Sequence, residues 1–250
     1  MLHKKKKGYA KGELLAYWYI NTYKATGSDW LIKSLEQLNL SSDFTLLNLS
    51  ANAGFYERDA YNYFDEHNFH PTFIIDDVQT GFVDETAHAD ENFIYLNRHY
   101  DLIASDLSNC GLCGDVVLDS KGALWYAAGS KIDRKRKTLQ VLHNYSCLMK
   151  KEDSMLLIDY DTFSSFFFVF FLDLYCVLSG MKKRQKDKPI TLPCELSTYQ
   201  VLERGFGKNI RQYFQFLEIA EESERFPLQK YRNIMYITKK NLSSLIEFLS

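Results

Sequence analysis

The sequence predicts an α/β fold in which a mostly parallel sheet carries helices on both faces and an antiparallel strand pair closes the chain. Short apolar runs of strand length alternate with amphipathic segments of helical period, the pattern of a parallel sheet covered on both sides. Residues 44–50, FTLLNLS, are largely apolar, as expected of a strand buried on both faces. Residues 213–221 and 231–240 alternate apolar and polar positions, which favours two antiparallel strands.

The first half of the chain supplies two helices and then strands and helices in alternation. Residues 11–23, KGELLAYWYINTY, are apolar nearly all round and predict a buried helix. Residues 28–40 place leucines at helical spacing behind a cap at Ser28 or Asp29. The next predicted elements are a strand at 44–50, a helix at 58–68, a strand at 71–77 introduced by Pro71, and a strand at 100–107, YDLIASDL.

The second half continues the alternation. Residues 137–151 are amphipathic with helical spacing, and residues 154–161, SMLLIDYD, have the length and apolar content of a strand. The predicted elements that follow are a Phe-rich helix at 166–178, a linker at 184–193 and the strand pair at 213–221 and 231–240.

Length and composition indicate one globular domain. The chain has 250 residues, of which 46% are hydrophobic and 25% charged, with a formal net charge of −2. This is enough sequence to bury a substantial core. We expect a single domain over residues 1–250, with a helical extension at 1–43 and the α/β core at 44–250. The five cysteines, an odd number, do not suggest a disulfide framework and favour a reducing, cytoplasmic compartment.

The sequence predicts neither a secretory signal nor a membrane span. The basic residues at 1–7 are followed by a polar stretch rather than by an apolar core. Residues 166–178, FFFVFFLDLYCVL, are fewer than the roughly 20 that a spanning helix needs, and Asp173 interrupts them. We therefore expect a buried helix there and no membrane partner.

Three basic clusters stand out from the nearly neutral whole, at residues 4–7, 131–137 and 182–188. Local clusters of this kind attract polyanions even when the net charge is close to zero. RNA is therefore a candidate partner, helped by exposed tyrosines, and solvated loops are the alternative.

The turn after the first predicted strand is the first candidate site. In an open α/β sheet, ligands bind at the carboxyl ends of the strands. Here Asn48, Ser50, Asn52 and Gly54 follow one another in a turn with a single glycine. Asn tolerates left-handed backbone geometry, so Asn52 can replace a glycine, and Ser50 is small enough for a ligand to approach the backbone. A cofactor turn and an ordinary strand-to-helix turn both remain open.

Two further strand ends carry acidic groups. Asp76 and Asp77 follow the second strand, where a carboxylate can accept two hydrogen bonds from a ribose diol. Ser105 and Asp106 end the third predicted strand. Asp90, between these strands, could reach an adenine amino group or could be a solvated loop charge.

The order and spacing of these strand ends resemble those of the class I S-adenosylmethionine-dependent methyltransferases, and the closing strands are similar to that family's C-terminal pair. The resemblance covers about residues 45–240. It implies a Rossmann-like sheet and S-adenosylmethionine as the cofactor. The cofactor-binding residues that it implies are Asn48, Ser50, Asn52, Gly54, Asp76, Asp77 and Asp90.

A narrower resemblance concerns the molecule that accepts the methyl group. The segment YDLIASDLSN resembles RNA ribose 2′-O-methyltransferases, and AKGELLAYWYINTY resembles a helix of viral cap 2′-O-methyltransferases, which act in mRNA capping. Such enzymes use a Lys-Asp-Lys-Glu set. Lys11 and Asp106 match its first two members by position, whereas Asp159 and Asn233 stand where the second Lys and the Glu are expected. The resemblance implies methyl transfer to RNA, and these departures leave open an inactive RNA- or protein-binding module. A small-molecule O- or N-methyltransferase is a further alternative.

Four potential zinc ligands form a separate hypothesis. Cys110 and Cys113 have metal-ligand spacing, and His143 and Cys147 lie one helical turn apart. These pairs could converge on a structural zinc ion or could be unrelated free side chains. The sequence contains no Gly-x-Ser-x-Gly elbow and no phosphate-binding loop of the Gly-x-x-x-x-Gly-Lys type.

Overall fold

A computed structural model describes residues 27–51, 54–76, 91–96, 106–107, 109–120, 122–160, 196–217 and 233–250. The strands in these ranges are β1 (Thr45–Asn48), β2 (Thr72–Asp76), β3 (Phe93–Leu96), β4 (Val116–Asp119), β5 (Met155–Asp159), β6 (Gln215–Leu217) and β7 (Ile234–Thr238). The helices are α1 (Asp29–Glu36), α2 (Phe55–Glu66), α3 (Ala123–Ala128), α4 (Arg134–Leu148), α5 (Thr198–Phe206) and α6 (Lys239–Leu249), with a 3-10 helix at Lys208–Tyr213.

The strands form one sheet in the order β3-β2-β1-β4-β5-β7-β6. The first five strands are parallel to one another. Strand β7 runs antiparallel to both β5 and β6. The fold is therefore a Rossmann-like, mostly parallel sheet with an antiparallel C-terminal pair, as the sequence predicts.

Helices cover both faces of this sheet. Alternate residues of each strand point to opposite faces, and both sets form apolar cores with helices. Leu46 and Phe73 belong to the core cluster that contains the apolar residues of α1 and α2. Leu47, Val117 and Ile158 belong to the other cluster, which contains those of α3, α4, α5 and α6. Strands with apolar side chains on both faces are typical of a sheet buried between two helical layers.

Two helices begin with side-chain caps. Ser197 Oγ accepts a hydrogen bond from the Gln200 N–H at 3.0 Å while Gln200 Oε1 accepts one from the Ser197 N–H, a capping box that starts α5. Thr238 Oγ1 accepts from the Asn241 N–H at 3.3 Å and starts α6 directly after β7. Neither helix is predicted from the sequence above, nor is the short helix α3.

The third predicted strand is wrong where it can be compared with the structure. Asp106 and Leu107 are helical, and residues 100–105 lie outside the described residues. The strand beside β1 is instead Val116–Asp119, and Phe93–Leu96 supplies the strand beside β2. Both come from segments that were not predicted as strands. The predicted helices at 11–23 and 166–178 and the linker at 184–193 fall outside the described residues.

Among the described residues, no helix has the length and the apolar character that crossing a membrane requires.

Candidate functional site

Four adjacent parallel strands end in buried polar residues at the same edge of the sheet. In order along this carboxyl edge they are Asp76 of β2, Asn48 of β1, Asp119 of β4 and Asp159 of β5, and their exposed fractions are 1%, 3%, 0% and 0%. Burying a carboxylate is unfavourable unless hydrogen bonds compensate it. The contacts of each group therefore indicate what it does.

Asn48 fixes the start of the β1–α2 turn. Its Nδ2 donates a 2.7 Å hydrogen bond to Oε1 of Glu57, which is buried in the first turn of α2. Its Oδ1 accepts from the Ser50 N–H at 3.0 Å. An amide suits this position because it donates to the carboxylate and accepts from the backbone at the same time.

The same turn is attached to the end of β2. The Ala51 N–H donates to the carbonyl oxygen of Asp76 at 2.9 Å, and the Gly54 N–H donates to the carbonyl oxygen of Ala51 at 2.9 Å. Gly54 has a φ of 69°, and a Cβ at this position would overlap with Cδ1 of Ile75. Glycine at position 54 therefore avoids strain in the left-handed backbone and leaves room for the end of the Ile75 side chain.

Asp119 organises the turn after β4. Its Oδ1 accepts from the Gly122 N–H at 2.9 Å, and its Oδ2 accepts from the Leu124 N–H at 2.9 Å and from the hydroxyl of Tyr145 at 2.5 Å. Burial raises the pKa of Asp119 to about 6, although these three hydrogen bonds act in the opposite direction.

The turns after β1 and β4 touch each other. A Cβ at Gly122 would lie 2.7 Å from Cβ of Ser50 and 3.0 Å from Oδ2 of Asp119. The absence of a side chain at Gly122 therefore allows Ser50 to pack directly against the β4 turn. The position of the candidate cofactor turn depends in this way on Asp119.

Asp159 holds the start of α5 at the end of β5. Its Oδ1 accepts from the hydroxyl of Thr198 at 2.5 Å and from the Thr198 N–H at 3.3 Å. Beside it, the Tyr160 N–H donates to the carbonyl oxygen of Asn233 at 2.8 Å, next to the antiparallel pairing of β5 with β7. The carboxylate is thus bonded to the first residue of a helix, and at this position it has the role of a structural anchor.

The structure places five of the predicted site residues at the carboxyl edge: Asn48, Ser50, Gly54, Asp76 and Asp159. Asp106 is exposed and lies in a short helical stretch that precedes β4. The predicted residues Lys11, Asn52, Asp77 and Asp90 lie outside the described residues.

Four further residues at this edge were not predicted from the sequence: Asp119, Gly122, Tyr145 and Glu57. The segment DVVLDSKG carried a usable signal for the first two, since an apolar run of strand length ends in an acidic residue and is followed by glycine. No sequence pattern pointed to Tyr145 or Glu57, because both reach the edge from helices.

The four candidate zinc ligands do not form a metal site. Cys110, Cys113, His143 and Cys147 are all described, and no group of three or more His, Cys, Asp or Glu side chains suited to a metal ion occurs among the described residues. Cys113 donates a weak hydrogen bond from Sγ to the carbonyl oxygen of Cys147 at 3.5 Å, and the three cysteines are free thiols.

Sequence comparisons found no matching family model and no matching curated protein. Comparison with solved structures found several methyltransferases. A protein from Staphylococcus aureus assigned as a caffeoyl-CoA O-methyltransferase aligns with 95% of this chain and 100% of its own at 12% identity and a TM-score of 0.45. Fibrillarin from Aeropyrum pernix, solved with natively bound S-adenosyl-L-methionine, aligns with 80% of this chain and 69% of its own at 8% identity and a TM-score of 0.41.

A protein from Streptococcus mutans assigned as an S-adenosylmethionine-dependent methyltransferase aligns with 81% of this chain at 11% identity and a TM-score of 0.40. The chain matches about half of that protein's length, 46%. The fold assignment follows from the strand order and directions of the sheet itself.

Proposed function

We propose that this chain binds S-adenosylmethionine at the carboxyl edge of the sheet and transfers its methyl group to an acceptor, for which RNA is the favoured class. One observation carries the proposal. A parallel sheet of order β3-β2-β1-β4-β5 is closed by an antiparallel strand beside β5, and its β1–α2 turn is attached to the end of β2. This is the architecture that the sequence resemblance to class I methyltransferases implies.

The residues at this edge fit a nucleoside ligand. Ser50 and Ala51 are small, so a ligand can approach the backbone of the turn closely. Asp76 lies at the end of β2, and Asp77 follows it in sequence. A carboxylate at this place suits the two hydroxyl groups of a ribose. We assign the adenine to the side of Asp90, as the resemblance implies.

S-adenosylmethionine, when bound, supplies an electrophilic methyl group on a sulfonium. The contribution of the protein is to hold the acceptor atom in line with that methyl group, which can account for a large part of the acceleration. On this proposal Asp106 and Lys11 orient the acceptor, which is a ribose 2′-hydroxyl in the narrower version suggested by the resemblance. Residues 1–250 act together as one domain in this account.

Asp159 has a different role from the lysine expected at its position. Its Oδ1 is bonded to both the hydroxyl and the N–H of Thr198, and its side chain is fully buried. A carboxylate in this setting cannot supply the positive charge that an ammonium would place beside a hydroxyl nucleophile. Methyl transfer here must therefore depend on positioning rather than on a Lys-Asp-Lys-Glu set.

The same observation favours a second candidate function. A chain that keeps the sheet and the cofactor turn but uses Asp159 as an anchor for α5 also fits a non-catalytic module that binds RNA or protein. Asn233, at the place of the expected Glu, agrees with this alternative.

Calorimetric titration of the full chain with S-adenosylmethionine separates the two candidates. Micromolar binding, lost in Asp77→Ala and kept in Asp106→Ala, supports the first. No heat at millimolar cofactor supports the second. For a chain that binds cofactor, incorporation of labelled methyl groups into capped RNA, uncapped RNA or a small-molecule acceptor mixture identifies the acceptor class. Equal incorporation by Asp106→Ala would remove that residue from the mechanism.

A further inference from the structure

The start of helix α4 carries the strongest concentration of positive charge among the described residues. Its first four residues, Arg134 to Lys137, are all basic, and Lys131 precedes them by three positions. Cations in the first turn of a helix are placed against the helix dipole, whose positive end lies there. A sequence selected for helix stability alone would favour acidic residues at these positions.

These charges border an open groove of about 580 Å³. It is lined by residues 133–136 together with Leu139, Gln140 and His143. Residues 136, 139, 140 and 143 recur at helical spacing, so this part of the groove runs along one face of α4 for about 10 Å. Among the described residues that line it, Asp133 supplies the only acidic side chain, and it pairs with Arg136 at 3.0 Å.

Three of the basic side chains are held in place by hydrogen bonds. The Arg134 Nε donates to the carbonyl oxygen of Ser130 at 3.2 Å, and the Lys137 Nζ donates to Ser130 Oγ at 3.1 Å. The Lys135 Nζ donates to a main-chain oxygen of Ser250 at 2.7 Å. The two contacts with Ser130 orient Arg134 and Lys137 without neutralising their charge, so a positive surface remains for a ligand.

The groove lies toward the carboxyl edge of the sheet, where the candidate site is. The C-terminal end of α4 is at the amino edge, because the Gly114 N–H, just before β4, donates to the carbonyl oxygen of Leu148 at 2.7 Å. Tyr145, about one turn before Leu148, reaches Asp119 at the carboxyl end of β4, so going back along α4 leads toward the carboxyl edge. Helix α4 has 15 residues and is about 22 Å long, which carries its first turn to that edge.

We propose that this groove binds the phosphate backbone of single-stranded RNA. Arginine and lysine side chains bind phosphates through charge-assisted hydrogen bonds, and releasing the counterions of a polyanion drives such binding. Tyr126, 55% exposed on the neighbouring helix α3, and Ile132, 67% exposed, offer apolar surface on which bases can stack or pack. The inference rests on the proposed function only in treating the bound RNA as the methyl acceptor.

An anionic membrane fits this surface less well. Helices that bind bilayers insert an apolar face next to their cations. The apolar face of α4, formed by Val141, Leu142, Tyr145 and Leu148, is buried in the core of the protein and is not free to insert.

The test is fluorescence anisotropy of a labelled single-stranded RNA oligonucleotide titrated with the full chain, without cofactor, at several salt concentrations. The variant is Lys135→Ala/Arg136→Ala. The matched control, Lys150→Ala/Lys151→Ala, removes the same charge from exposed positions just beyond the other end of α4. Each phosphate contact to a single strand contributes about −0.7 to the slope of log affinity against log salt concentration. The double variant should therefore bind roughly tenfold more weakly, with a slope shallower by about 1.4, while the control keeps the wild-type affinity.

Three results would overturn the inference: no binding by the wild type at low salt, equal weakening by the control, or binding to vesicles containing phosphatidylserine but not to RNA. Calorimetric titration with S-adenosylhomocysteine, which remains after S-adenosylmethionine has donated its methyl group, keeps the two proposals distinguishable. The groove variant should retain the wild-type response to this cofactor product, whatever that response is. RNA binding without cofactor binding would support the groove and reject the methyltransferase proposal.

Discussion

The hydroxyl of Tyr145 donates a 2.5 Å hydrogen bond to Oδ2 of Asp119, and this bond joins helix α4 to the carboxyl end of strand β4. The same oxygen accepts from the Leu124 N–H, while the other carboxylate oxygen accepts from Gly122. Because Gly122 packs against Ser50, the bond also supports the turn after β1. The basic helix and the candidate cofactor turn are thus connected through one buried carboxylate.

Tyr145→Phe should destabilise the protein while leaving its core packing nearly intact. The substitution removes one of three hydrogen bonds to a buried carboxylate, for which we expect a loss of about 1–3 kcal/mol in the free energy of unfolding. Urea unfolding measures this loss. Tyr126→Phe is the matched control, because Tyr126 is exposed, and it should unfold like the wild type. Equal unfolding curves for Tyr145→Phe and the wild type would show that the bond contributes nothing.

The raised pKa of Asp119 predicts a specific pH dependence of stability. Its pKa is about 6 in the folded protein against a model-compound value of 3.8, so the folded state holds a proton more tightly than the unfolded state. This contribution is complete below pH about 4 and is lost as pH rises to about 6, with an upper limit near 3 kcal/mol.

Asp119→Asn removes the titrating group and tests that assignment. The free energy of unfolding of the wild type should contain a term that falls across this pH window, and the term should be absent in the variant. Urea unfolding at a series of pH values gives the comparison. If the difference in free energy of unfolding between the wild type and Asp119→Asn stayed the same from pH 4 to pH 7, the assignment would be contradicted.

Gly54→Ala should be more damaging than the same substitution at Gly27. Both glycines have positive φ, 69° and 61°, so alanine is strained at either by about 1 kcal/mol or more. Only at Gly54 would the new Cβ overlap with Ile75, whereas nothing lies within 4 Å at Gly27. We expect a further loss of about 1–3 kcal/mol at Gly54 from overpacking, measurable by urea unfolding. Similar losses for the two variants would mean that the Ile75 side chain shifts at no cost to accommodate the methyl group.

Asn48→Asp should destabilise the turn at neutral pH. The amide donates to Glu57 at 2.7 Å, and a carboxylate there would place two negative charges in contact in a buried site. We expect a loss of several kcal/mol, about 3–5, as when a buried charge loses its partner. Adding Glu57→Gln should restore most of the stability, because an amide would again face a carboxylate. A double variant no more stable than Asn48→Asp would contradict this account of the pair.

The regular elements of the sheet could be predicted because their patterns are local. Strands β1, β2 and β5 are apolar runs of four or five residues that end in Asn or Asp, and all three were identified. Strand β4, VVLD, is as apolar, but the more conspicuous YDLIASDL segment nearby was assigned the same role. The final helix was also missed, although Leu242, Leu245, Ile246 and Leu249 recur at helical spacing.

The candidate site could be predicted only in part, because it depends on contacts between residues far apart in sequence. Three of the four strand-end residues, Asn48, Asp76 and Asp159, were named from the sequence, whereas Asp119 at the end of β4 was missed. The pairing of Asp119 with Tyr145, 26 residues away, and of Asp159 with Thr198, 39 residues away, is set by the packing of helices on the sheet. Those pairings decide whether a strand-final carboxylate faces a ligand or supports a helix, and local sequence does not encode them.

The most direct test of the cofactor site is ultraviolet crosslinking of labelled S-adenosylmethionine to the full chain, followed by mass spectrometry of the labelled peptides. We expect labelling of peptides that contain residues 48–56 or 72–77, suppressed by excess S-adenosylhomocysteine and by Asp77→Ala. Specific labelling confined to peptides away from the carboxyl edge, or none that the competitor suppresses, would contradict it.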